Sequence, residues 1–264
     1  MDISIINSFL VTFIAGLALI IGALLSLFIK SGKRDLFPLI LSLTGGIMLF
    51  ISFVDFLPSS IKLLSQFYSN EDAFRFAIFS FFFGLLTTTP VDMLLSFFQR
   101  KFLNRTVRPL QLKKKQHFEL NFFIFLSITI HNFFDGIATF FSYFTDLYVA
   151  IPILVSIVAH NIPEGAVIFL VIFNMTRSKK KAFIYCTISA LAGPFGAVVT
   201  IFILSLGVPA MLNGIIFAFL AGLIVNTALN ELIPASEIKG THQLSIKGII
   251  AGMFFMAIIM IFFH

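Results

Sequence analysis

Residues 148–175 read YVAIPILVSIVAHNIPEGAVIFLVIFNM. About 20 apolar residues suffice for a helix to cross the hydrocarbon core of a bilayer. This run is longer and contains no Lys or Arg, so it is read as a transmembrane helix. In its middle stand His160, Asn161, Pro163 and Glu164. A charged side chain at that depth costs about 2.5–3.5 kcal/mol even on the most lenient insertion scale, so such groups face a bundle interior or water. His160 and Glu164 are four residues apart, which puts an imidazole and a carboxylate one turn apart on one helix face. The pattern also occurs 29 residues earlier: His131-Asn132-Phe133-Phe134-Asp135-Gly136 precedes His160-Asn161-Ile162-Pro163-Glu164-Gly165.

Of 264 residues, 59% are hydrophobic and 11% are charged, whereas soluble domains carry about 25% charged residues. A soluble globular enzyme is thereby excluded. Eight apolar runs are read as helices: 5–29, 37–57, 73–98, 122–143, 148–175, 182–206, 210–234 and 246–263. Strands of a membrane β-barrel are about 9–11 residues long and alternate in polarity, which these runs do not. The fold class is therefore an all-α membrane protein with eight transmembrane helices, and residues 1–264 form a single domain. The first run exceeds the roughly 7–15 apolar residues of a signal peptide and is expected to be a retained span.

Orientation follows from the distribution of Lys and Arg, which collect in cytoplasmic loops. With both termini outside, all basic residues except Lys62 and Arg75 fall on the cytoplasmic side. The protein is expected in the cell membrane as a multi-pass chain, with the basic stretch 99–121 as a flexible cytoplasmic linker. Net charge of +6 is thus topogenic, and no nucleic-acid partner is expected.

Two helices with this pattern offer two ring nitrogens and up to four carboxylate oxygens around one point. That donor set suits Zn²⁺, Fe²⁺, Mn²⁺ or Co²⁺. Pro163 lacks an N–H and crowds the Ala159 carbonyl, predicting a kinked helix beside these groups. Gly136 and Gly165 permit close helix approach. Asp55, Asp92 and Glu231 are further acids inside the apolar runs, placed towards helix ends. With the termini outside, Asp55 lies towards the outside and Asp92 and Glu231 towards the cytoplasm, staging a transport pathway. The single Cys186 has no partner for a disulfide or a thiolate metal site and is expected to pack as a small apolar residue.

At these residues the chain resembles the ZIP family of divalent metal transporters, its bacterial ZupT-like members above all. The resemblance rests on the two His-Asn motifs, on Gly46-Ile47-Met48 followed by Asp55-Phe56-Leu57-Pro58, and on Glu231-Leu232-Ile233-Pro234. It implies uptake of Zn²⁺ or related cations into the cytoplasm and a 3+2+3 pseudosymmetric bundle. It also implies His131, Asp135, His160 and Glu164 as primary metal ligands, with Asn132 and Asn161 lining an adjacent second site. The metal is then the transported substrate, and no prosthetic group is expected. Phe134 and Asp135 stand where the family usually has Pro and Glu, and Gly193 where many members have a Glu. One ion per site is therefore expected.

Two rival readings remain. A cation-diffusion exporter also places His or Asp four residues from Asp, but on six spans with a soluble C-terminal domain. An intramembrane zinc hydrolase needs a general base; Asn follows both histidines, leaving Glu164 for that role. The bilayer and the ions are the expected partners, and the sequence leaves a homodimer open.

Overall fold

The computed structural model describes residues 3–28, 36–103, 109–145, 147–205 and 211–263; side chains of residues 3, 88–121, 123, 145, 147–150, 152, 153, 239 and 263 are outside that description. Among the described residues all regular structure is helical. Helix α1 is Ile3–Ser26, α2 Leu36–Leu64, α3 Asn70–Leu103, α4 Pro109–Thr145, α5 Leu147–Thr176, α6 Lys179–Ser205, α7 212–239 and α8 His242–Phe263. Among the described residues seven of these helices are long and apolar enough to cross a membrane. The other, α3, has 34 residues, about 50 Å at 1.5 Å per residue. Large apolar side chains point outward along α1 (Phe13, Ile14, Leu25), α6 (Phe195, Phe202) and α8 (Phe254, Ile261), where lipid is the natural solvent for them.

Two expectations are corrected. Residues 99–103 and 109–121, expected in a flexible linker, extend α3 and α4 as helix. Helix α5 runs unbroken through Pro163. Its neighbour α1 braces that turn: Asn161 Nδ2 donates to the Ala15 carbonyl at 3.0 Å, and Gly22 admits the Ile162 carbonyl so closely that a Cβ there would collide with it.

The departures from α geometry occur elsewhere. Residues Ser52–Phe56 in α2 and Ala228–Leu232 in α7 form wide π turns, with Leu57 N–H bonding the Ser52 carbonyl and Ile233 N–H the Ala228 carbonyl. Each wide turn ends two residues before a proline, Pro58 or Pro234, which has no N–H to continue the α ladder. Because the bulge absorbs the proline, α2 and α7 continue to Leu64 and Lys239. Asp55 and Glu231 consequently lie inside their helices and not near the ends.

Close approaches recur in pairs that relate the first three helices to the last three. A Cβ at Gly165 of α5 would strike the Leu19 carbonyl of α1, and one at Gly136 of α4 the Gly193 carbonyl of α6. Gly46 of α2 is pressed against Ile249 of α8, as Gly222 of α7 is against Phe81 of α3. These pairings exchange under a swap of α1–α3 with α6–α8 and of α4 with α5. In a membrane, where lipid is as apolar as the side chains, such small-residue contacts let backbones pack directly.

Overpacking a filled contact costs about 1–3 kcal/mol. Gly136→Ala and Gly165→Ala should therefore each lower the melting temperature of the detergent-solubilised protein. Gly193→Ala should not, because its Cβ meets nothing nearer than the Asn132 carbonyl oxygen at 3.5 Å. A thermal-shift assay in which all three behaved alike would contradict this packing.

Candidate metal centre

Helices α4 and α5 pack side by side with α1 and α6 against them, so the two motif faces meet in the bundle interior. His131, Asp135, His160 and Glu164 are all at most 2% exposed. His131 Nε2 lies 3.2 Å from Asp135 Oδ2 and 3.4 Å from Glu164 Oε1, and His160 Nε2 lies 2.9 Å from Asp135 Oδ2. Donor atoms of His131, His160 and Glu164 all fall within 4.8 Å of one another. Ligands bonded at about 2.0–2.1 Å to a tetrahedral Zn²⁺ stand about 3.3 Å apart, close to these spacings.

Hydrogen-bond chemistry supports a cation here. His160 Nδ1 is 2.9 Å from the Ser156 carbonyl, which only accepts, so Nδ1 carries the hydrogen. In neutral His160 the Nε2 lone pair then faces the Asp135 carboxylate, an arrangement that needs a proton or a metal between the two. His131 Nδ1, Asp135 Oδ1 and Glu164 Oε2 have no hydrogen-bond partner among the described residues. Buried polar groups left unpaired cost about 1–3 kcal/mol each and more when charged, so this cluster is a poor structural device.

The asparagines serve two ends. Asn132 Nδ2 donates to Ser189 Oγ of α6 at 3.0 Å and Asn161 Nδ2 to the Ala15 carbonyl of α1, tying the motif helices to their flanking partners. Their amide oxygens have no hydrogen-bond partner among the described residues. Both residues line a small cavity with Thr12, Asp135, Thr139 and Gly193. Gly193 thus opens onto the cavity where the sequence comparison with the family led one to look for an acid.

Asp55 is 2% exposed, and its Oδ2 accepts from Ser156 Oγ at 2.7 Å. Glu231 is 7% exposed in the wide turn of α7. Asp92 falls on α3 where side chains are outside the described residues. Sequence reasoning missed Ser156 and Ser189, since a serine in an apolar helix carries no signal. It also missed the π turns, although an acid three residues before a proline, at both Asp55 and Glu231, marks them. Cys186 is buried as expected, its Sγ 3.7 Å from the Gly165 carbonyl.

Comparison with known proteins agrees with this arrangement. The family model described as ZIP Zinc transporter matches residues 111–260. Zinc transporter ZupT of Streptococcus mutans is 33% identical over 257 residues, 97% of each chain. The chain belongs to the ZIP family. Zinc transporter ZupT of Chlorobaculum parvum is 32% identical over the full length of both chains, and that of Corynebacterium aurimucosum 34% identical over 95% of each. As a ZIP protein this is a multi-pass membrane transporter and not an enzyme, which sets aside the hydrolase and exporter readings.

Proposed function

We propose that the protein carries Zn²⁺, or a related first-row divalent cation, across the membrane into the cytoplasm, with His131, Asp135, His160 and Glu164 as its transient ligands. The observation that carries this reading is the convergence of His131, His160 and Glu164 donor atoms within 4.8 Å of one another, with Asp135 in contact with both imidazoles, all buried between α4 and α5. ZupT relatives named as zinc transporters along the whole chain support zinc as substrate. Asp55 receives the ion from outside, and Asp92 and Glu231 take it towards the cytoplasm. Access alternates between the two sides as the central helices move against the flanking ones. Radioactive zinc uptake into proteoliposomes tests the site. His160→Ala and Glu164→Ala should each reduce uptake to background while the protein still purifies as a monodisperse species; wild-type rates in both would sink the reading.

One ion occupies the site at a time. Gly193 contributes no carboxylate to the neighbouring cavity, and Asn132 and Asn161 contribute neutral amides. Equilibrium binding should therefore saturate at one Zn²⁺ per chain, and Gly193→Glu should admit a second or change the ion preferred. Two tightly bound ions in the unaltered protein would refute this.

Both termini face outward, on the asymmetry of Lys and Arg. In a Cys186→Ser background, a thiol replacing Asp55 should react with an impermeant reagent added outside sealed cells, and a thiol replacing Glu231 should not. The reverse pattern would invert the topology and the direction of transport.

A further inference from the structure

The two halves of the site are not held alike. Ser156 and Ser127 occupy corresponding positions, each four residues before a motif histidine. Ser156 Oγ donates to Asp55 Oδ2 at 2.7 Å across the α2–α5 contact, while the Ser156 carbonyl accepts from His160 Nδ1 at 2.9 Å. Ser127 Oγ instead pairs with Thr227 Oγ1 at 2.9 Å, one turn short of Glu231. His131 Nδ1 has no hydrogen-bond partner among the described residues. One residue thus links an acid of the flanking bundle to one metal ligand, and its counterpart does not.

We propose that Ser156 is a positioning residue for the capture step: it anchors Asp55 to α5 one helical turn before His160, so that an arriving cation passes from that carboxylate to that imidazole. The inference deepens the transport reading and rests on it. Hydrogen bonds to a carboxylate are about twice as strong as neutral ones, so the Ser156 hydroxyl restrains Asp55 Oδ2 on the face of α5. Ser59 Oγ also donates to Asp55 Oδ1, at 3.4 Å, and a carboxylate oxygen, with two lone pairs, can keep a hydroxyl donor and meet a cation together. On the other side of Ser156, the carbonyl fixes the His160 ring with Nε2 directed to Asp135, the second-neighbour support typical of metal-bound histidines. Asp55 and His160 are therefore both anchored to Ser156, which stands one turn of α5, about 5.4 Å, before His160. His131 lacks this anchor and is the ligand free to reorient as the ion moves on.

Zinc uptake into proteoliposomes tests the assignment in wild type, Ser156→Ala, Asp55→Asn and the double variant. Alanine fits the space of serine and favours helix, so the fold persists. Loss of one charge-assisted hydrogen bond should raise the apparent KM roughly five- to tenfold and leave the maximal rate within about twofold. In the Asp55→Asn background Ser156→Ala should add little, because coupled partners are non-additive. Ser127→Ala removes a buried hydroxyl pair that involves no acid and should leave KM unchanged. An unaltered KM in Ser156→Ala, an equal shift in both backgrounds, or an equal shift in Ser127→Ala would overturn the proposal. If wild type itself failed to move zinc, the transport reading would fall, and Co²⁺ binding to the solubilised variants would still decide this one. Weaker binding in Ser156→Ala but not in Ser127→Ala would support the positioning role, and equal affinities would reject it.

Discussion

Inside the bundle, two carboxylates and two imidazoles have little besides one another to answer them. His131 meets Asp135 and Glu164, and His160 meets Asp135, while several of their remaining polar atoms find no partner. Lipid cannot satisfy such groups, so α4 and α5 must turn these faces inward and be covered. That requirement sets the architecture around them. Gly136 and Gly165 let α6 and α1 lie directly against the motif helices, and the Asn132 and Asn161 amides fasten those same pairs. The helices that shield the site from lipid are thus held by the residues adjacent to its ligands.

The flanking helices repeat this logic at lower cost. Gly46 and Gly222 dock α2 and α7 against α8 and α3, and nine residues further along each helix comes an acid in a π turn. A π turn is a weaker stretch of ladder, found often at functional positions. Here it lets a helix carry both a proline and an inward-facing carboxylate without ending. The duplication is imperfect where chemistry enters: Ser156 meets an acid and Ser127 a threonine. Such inequality separates the two sides of a transport site that would otherwise be equivalent.

Much of this was legible in the sequence, for identifiable reasons. A 28-residue apolar run interrupted by His160 and Glu164 admits few interpretations, because the bilayer penalises every polar group that lacks a purpose. Repetition of the motif at His131 then specified a pair of helices, and the spacing of four specified a shared face. Helix ends were less legible. Pro58 and Pro234 looked like terminators because local propensity opposes helix there, but π turns and packing overrode it. Around Pro163, contacts from Ala15 and Gly22 of α1 brace α5, which runs on as a continuous helix. Ser156 was invisible, since its role depends on which helix lies opposite, and that is a property of tertiary packing alone.

Charge balance favours the proposed single ion at His131, Asp135, His160 and Glu164. Two ionised carboxylates and one divalent cation sum to zero, so the loaded site presents a neutral cluster to the low-dielectric interior. An unloaded cluster leaves two buried carboxylates with only the two imidazoles beside them, in an interior where charge is poorly screened. A second divalent cation would leave an excess of two positive charges beside neutral amides, and removing charge from water without compensation is costly. An acid at residue 193 would change that sum, and the space for its side chain is present beside Asn132. Glycine there keeps the bundle neutral when loaded, and a neutral load is the state in which buried helices can slide past one another with the least electrostatic resistance.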